Sequence, residues 1–124
     1  MEHLKPWHEL ALDTEHREVH FTLGGFFTLD EMKSFVREMD QLALTLITTG
    51  PTMKGLGDLR NLVPQRAEVA EFTRSHLVTA QKAGLTHVAI MAPPLVRMQY
   101  RRLSEGLEVG FFDDKPEALA WLRG

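Results

Sequence analysis

A chain of 124 residues, 44% of them hydrophobic, suits one domain with one core, because a globule of this size removes about two-thirds of its unfolded surface from water. The 14 Lys and Arg against 17 Asp and Glu give a formal charge of -3, which argues against general attraction to nucleic-acid phosphates or an anionic membrane surface. With no cysteine, disulfides, thiolate nucleophiles and Cys-based metal sites are excluded.

The opening Met1-Glu-His-Leu-Lys-Pro-Trp7 lacks the apolar run of a secretory signal, and Leu42 to Ile47 is far too short to span a bilayer. The expectation is a cytoplasmic protein without a transmembrane segment. Trp7 to Leu12 and Glu18 to Leu23 alternate roughly with period two around the polar turn Asp13–Arg17, predicting an antiparallel hairpin that Gly24-Gly25 ends. Thr28 with Glu31 forms a reciprocal capping pair, and Phe27 and Met32 occupy the staple positions on either side. Met32, Phe35, Val36, Met39, Leu42, Ala43 and Leu46 then recur at helical spacing, an apolar stripe that must pack on a sheet, until Gly50-Pro51 stops it.

Met53 to Leu59 is the third strand by position, closed by Asp58-Leu-Arg-Asn61. A second helix covers Ala67 to Ala83, with Val69, Phe72, His76 and Ala80 on one face and Gly84 as its stop. Thr86 to Ala92 is the fourth strand; Pro93-Pro94 opens a third helix, Leu95 to Glu105, halted by Gly106. Leu107 to Phe112 is the fifth strand, and Asp113-Asp114 cap a last helix containing Ala118, Leu119, Trp121 and Leu122. The fold is therefore α/β in the order ββαβαβαβα: a mixed sheet of about five strands, the later ones parallel through right-handed crossovers, flanked by about four helices. No repeat or linker divides residues 1–124, so they are read as one domain.

Ligands of open α/β sheets collect beyond the carboxyl ends of the strands. That rim takes Gly24, Gly25 and Thr28 from the second strand, Asp58, Arg60 and Asn61 from the third, and Pro93, Pro94 and Leu95 from the fourth. Asp58 and Arg60 share a parity, so they either pair or orient a polar ligand; the bland reading makes Asp58 a loop cap and Arg60 a surface cation. Met98 joins the ligand-facing candidates, although with Leu95 and Arg102 it reads as a margin of the core. Arg97, Arg101 and Arg102 form a basic patch suited to an acidic partner or lipid headgroup, or else a solvated face. Trp7 and Phe26-Phe27 are the aromatic candidates for a protein interface.

Catalytic and metal signatures are weak. His16 and His20 are four apart, but on a strand that places them about 13 Å from each other, and no His-Glu-x-x-His pattern occurs. Ser34, Ser75 and Ser104 fall on helices rather than on a nucleophile elbow. Gly50 to Gly57 lacks the Gly-Lys-[Ser/Thr] ending of a phosphate loop and reads as a flexible turn. No metal, cofactor or phosphorylation site is expected.

The element order resembles the SpoIIAA-like branch of the STAS superfamily, small domains also compared with the lipid-binding Sec14 fold. The phrases that carry the resemblance are Phe21-Thr-Leu-Gly-Gly-Phe-Phe-Thr28, Gly57-Asp-Leu-Arg60 and Phe111-Phe-Asp-Asp-Lys-Pro-Glu-Ala-Leu-Ala-Trp-Leu122. It implies a mixed sheet flanked by helices and a role in regulation or ligand binding more than in catalysis. The anti-sigma antagonists of that superfamily place a phosphorylatable Ser just after an Asp at the start of the helix following the third strand. Here that place reads Asp58-Leu-Arg-Asn61, with no hydroxyl, so the phosphate switch is not carried over. The expected function is a non-catalytic binding or regulatory module for an apolar or lipid-like ligand held between helices and sheet. The alternatives are a homodimerising interaction module and a small enzyme using Asp58 and Arg60.

Overall fold

The alternation on either side of Asp13–Arg17 produces an opening hairpin, β1 (Trp7–Asp13) pairing antiparallel with β2 (Glu18–Gly25). The computed structural model describes residues 4–124; Met1 to His3, the start of the segment read above for a secretory signal, lie outside it. There follow α1 (Leu29–Ile47), β3 (Met53–Leu62), α2 (Ala67–Ala83), β4 (Leu85–Met91), α3 (Pro94–Leu103), β5 (Val109–Phe112) and α4 (Lys115–Arg123). The five strands lie in chain order β1-β2-β3-β4-β5, and every pair after the hairpin is parallel.

Sequential parallel strands joined by crossovers of one hand put their helices on one face. The first core cluster accordingly joins Met32, Phe35 and Val36 of α1, Val69 of α2 and Val96, Tyr100 and Leu103 of α3 to Leu23, Leu59, Val88 and Ile90 of the sheet. Residues of opposite parity, Leu56, Ala89 and Met91, pack on Ala118 and Leu122 of α4 across the other face. The capping box of α1 is present as read: Glu31 N–H donates to Thr28 Oγ1 at 3.1 Å and Thr28 N–H to Glu31 Oε1 at 2.8 Å. No helix among the described residues is long and apolar enough to cross a membrane.

Several sequence expectations are corrected. The third strand continues to Leu62, so Asp58, Arg60 and Asn61 lie inside it rather than in a closing turn. Asp58 pairs with Thr22 but Asn61 with Gly24, so β3 carries one extra residue there. That bulge breaks the alternation and leaves both Arg60 and Asn61 exposed between buried Leu59 and Leu62. Gly55 and Gly57 are strand residues, as the Met53 to Leu59 reading has them, and the turn read over Gly50 to Gly57 is confined to Gly50 to Thr52. The third helix stops at Leu103, and a turn closed by Leu107 N–H on the Ser104 carbonyl delays the fifth strand to Val109. Phe27 is 2% exposed and belongs to the core, which removes it from the interface candidates. Leu95 and Met98 are 65% and 52% exposed, so they are not core margin; the buried stripe of α3 is Val96, Tyr100 and Leu103.

Candidate functional site

Under α1 and α2 the sheet presents an unusual floor, because Gly55 and Gly57 stand two apart on the β3 face turned toward these helices. A side chain at Gly57 would place its Cβ 2.5 Å from the Phe21 ring, so glycine lets that ring lie across β3. At Gly55 the nearest atoms, the Val88 methyls, are 3.6 Å from such a Cβ, and space remains above the strand. The result is a cavity of about 100 Å³ enclosed by sheet residues Val19, Phe21, Gly55 and Ile90 and by Met32, Phe35, Met39 and Ala43 of α1. Thr73, His76, Leu77 and Ala80 close it from α2, and Tyr100, Leu103 and Ser104 from α3.

Its wall is apolar except at a few places. Burial pushes the Tyr100 hydroxyl well above its ordinary range, so Tyr100 stays neutral. The Ser104 hydroxyl is already spent on the Tyr100 carbonyl at 2.6 Å. At the α1–α2 edge His76 Nε2–H donates to Asp40 Oδ1 at 2.8 Å. Such a wall offers water few hydrogen-bond partners and suits a small apolar body.

The rim residues named from sequence fall elsewhere. Gly25, at φ +84°, faces the Lys5 carbonyl, where any Cβ would collide. Thr28 is used as the α1 cap. Asp58 and Arg60 are brought together as a fork, Nε to Oδ1 at 3.0 Å and Nη2 to Oδ2 at 2.8 Å. Hydrogen bonds from the Arg60 side chain lower the Asp58 carboxyl below its ordinary value, against the opposing effect of burial. Asn61 stays exposed beside them, and Pro94 is the first residue of α3.

Gln65 fills the space behind this rim. Its Oε1 accepts from Phe27 N–H at 2.9 Å, and its Nε2 donates to the Gly25 and Val63 carbonyls at 3.1 and 2.6 Å. Its own backbone is bonded in both directions by the Gln99 amide, at 2.8 and 2.7 Å. Sequence reasoning missed this pairing, since nothing announces burial of a loop glutamine such as Gln65 or its match to Gln99 on α3. It expected an apolar ligand between helices and sheet but did not name the residues that line the space, for which a glycine pair at i and i+2 beneath an apolar helix stripe is the local signal.

The basic patch of α3 is split. Arg97 donates to the Phe112 carbonyl and to Asp113 Oδ1, each at 3.0 Å, and Arg101 lies 5.4 Å from the centre of the Phe111 ring, while Arg102 is exposed. Of the aromatic candidates, Trp7 lies on Gly24 across the hairpin and Phe26 lies under Arg66, 4.8 Å from its guanidinium. On the other sheet face Asp13, Glu18 and His20 converge closely enough to suggest a metal cluster. Arg123 occupies that place, donating to Glu18 at 2.9 and 3.0 Å and to Asp13 at 3.2 Å. Burial pushes the Glu18 carboxyl up, but hydrogen bonds from Arg123 and His20 outweigh it and hold the group below its ordinary value.

No protein-family model matches the chain, and no curated protein does. Among solved structures it is similar to an uncharacterized protein of the DUF3478 family with a SpoIIAA-like fold from Shewanella loihica PV-4. The two share 20% identity at a TM-score of 0.71, over 95% of each chain. The fold is therefore SpoIIAA-like, a mixed five-stranded sheet with four flanking helices.

Proposed function

We propose that this protein is a non-catalytic binding module that takes a small apolar or lipid-like ligand between the α1–α2 layer and the sheet. One observation carries the reading: a cavity of about 100 Å³ with an apolar wall, floored by a glycine of β3. Well-packed interiors leave few voids larger than a water molecule, and an apolar void forfeits the dispersion contacts its lining would otherwise make. A cavity of about 150 Å³ with a comparable wall admits benzene.

The Asp58–Arg60 pair favours a structural role over a catalytic one. Each group satisfies the other, and a carboxyl held below its ordinary value is a weak base near neutrality. Asp58→Asn is expected to leave ligand binding unchanged.

Native mass spectrometry of freshly purified protein, followed by thermal shift with small hydrocarbons, alcohols and fatty acids, tests the proposal. A ligand at a hundredfold excess over its Kd adds about 2.7 kcal/mol. Gly55→Val grows a side chain from the cavity floor and should abolish that shift while the protein remains folded. If no probe stabilises the wild type and no small molecule copurifies, the binding reading fails.

A homodimerising module is the second reading, favoured by the exposed Leu95 and Met98 beside a groove that also includes Pro64, Ala67 and Ala70. Sedimentation would then show a concentration-dependent dimer that Leu95→Asp with Met98→Asp disperses. A monomer at high concentration discards it.

A further inference from the structure

Val36 and Asp40 of α1 and His76 of α2 line the internal cavity, and the same three residues line a groove of about 400 Å³ on the outside of the α1–α2 seam. At that point their side chains separate the apolar interior from solvent. Two of the three, Asp40 and His76, are joined by a single hydrogen bond of 2.8 Å, and Asp40 is more than half exposed. Water competes for such a bond, so opening it requires side-chain rotation rather than helix unfolding.

The groove outside has a distinct chemistry. Lys33 and Arg37, one turn apart on α1, and Ser75 and Thr79 of α2 line it. Lys33 Nζ sits 5.8 Å from the centre of the Phe72 ring, which forms part of the same wall. Asp40 is the one carboxylate among the groove residues, and its Oδ1 is engaged by His76. Two cations and two hydroxyls against one occupied carboxylate select an anion, next to an opening that selects hydrocarbon.

We infer that the α1–α2 seam is the portal of the cavity, and that the ligand is a single-chain amphiphile with a compact anionic head. The chain passes the Asp40–His76 latch into the space above Gly55, and the head stays in the groove beside Lys33 and Arg37. This rests on the cavity reading above and adds to it a route and a head group. By comparison with the cavity of about 150 Å³ that admits six-carbon benzene, about 100 Å³ holds roughly four carbons, so an eight-carbon chain fills the space and extends back through the seam. Met32 and Met39, unbranched and adaptable, line the space and can repack around it.

Calorimetric titration of the full chain with octanoate, octyl phosphate and octanol tests the assignment. Octanoate or octyl phosphate should bind at least about tenfold more tightly than octanol, and the better of the two tells a fatty carboxylate from a lipid phosphate. Lys33→Gln with Arg37→Gln should erase that advantage and leave octanol affinity unchanged; both positions are outside the core, so the fold is retained. In stopped-flow mixing His76→Ala should speed both uptake and release severalfold, because the latch is gone.

Octanol binding as tightly as either anion, or an anion preference that survives the double variant, overturns the head-group assignment while the cavity reading stands. Binding of none of the three probes overturns the amphiphile assignment, and the cavity reading falls with it only if the smaller hydrocarbons also give no thermal shift and no small molecule copurifies. Unchanged rates in the His76 variant overturn the portal.

Discussion

Gly57 illustrates how one missing side chain organises its surroundings. The Phe21 ring occupies the volume a Cβ would need, and Phe21 in turn walls the cavity and packs on Phe35 at a centroid distance of 6.1 Å. Gly57→Ala should therefore lower stability by about 1–3 kcal/mol in urea titration, the usual effect of overpacking. Gly55→Ala meets only ordinary van der Waals distances and should stay within about 1 kcal/mol of wild type. Glu18 makes a contrasting case, a carboxylate with a fully buried side chain held by Arg123 and His20. Arg123→Ala strands that charge and should lower the urea midpoint, whereas Arg123→Ala combined with Glu18→Gln should lower it less than the single change.

The same carboxylate fixes the sign of a pH effect. Its folded value lies below the ordinary 4.5, so its contribution is complete above that value and disappears as pH falls through the lower, folded one. Asp58, also lowered, acts in the same direction. Denaturant midpoints measured from pH 7 to pH 2 should fall on the acid side for the wild type, and Glu18→Gln should flatten that limb. An equally steep acid limb in the variant would show that Glu18 does not contribute to it.

Among the elements, α1 was the most legible in the sequence, because cap, staple and stripe all state the same thing. Thr28→Ala removes the hydroxyl of its capping box and should destabilise the protein by about 1 kcal/mol in thermal or urea melts. Elements whose ends depend on tertiary partners were read less well. Glycines at 55 and 57 masked the propensity of β3, and its bulge at Leu59–Arg60 is set by pairing with β2, which no local pattern reports. In α3 the stripe of Leu95, Met98 and Arg102 reads as a margin of the core, yet the stripe that meets the core is Val96, Tyr100 and Leu103. Phe27 was correctly placed as a staple residue, and that same packing is why it is not available to a partner.

For the molecule as a whole, the layer order was legible because hydrophobic period changes from two to 3.6 at each cap, and crossover handedness then leaves few arrangements. The candidate site was not. A cavity is the volume that side chains from five or more elements fail to fill, and apart from the glycine pair of β3 no window of sequence records that failure. The Asp40–His76 latch joins residues 36 apart on two helices, and the Gln65 clip joins residues up to 40 apart, so neither shows as spacing.

The bond between Glu18 and Arg123 reaches across 105 positions. During synthesis the first hairpin emerges from the ribosome long before its guanidinium partner exists, and until then burial of Glu18 lacks that compensation. Closure of the second sheet face is thus deferred until α4 has been made and can dock, so that face stays open while the hairpin and the α1–α3 layer are already in place.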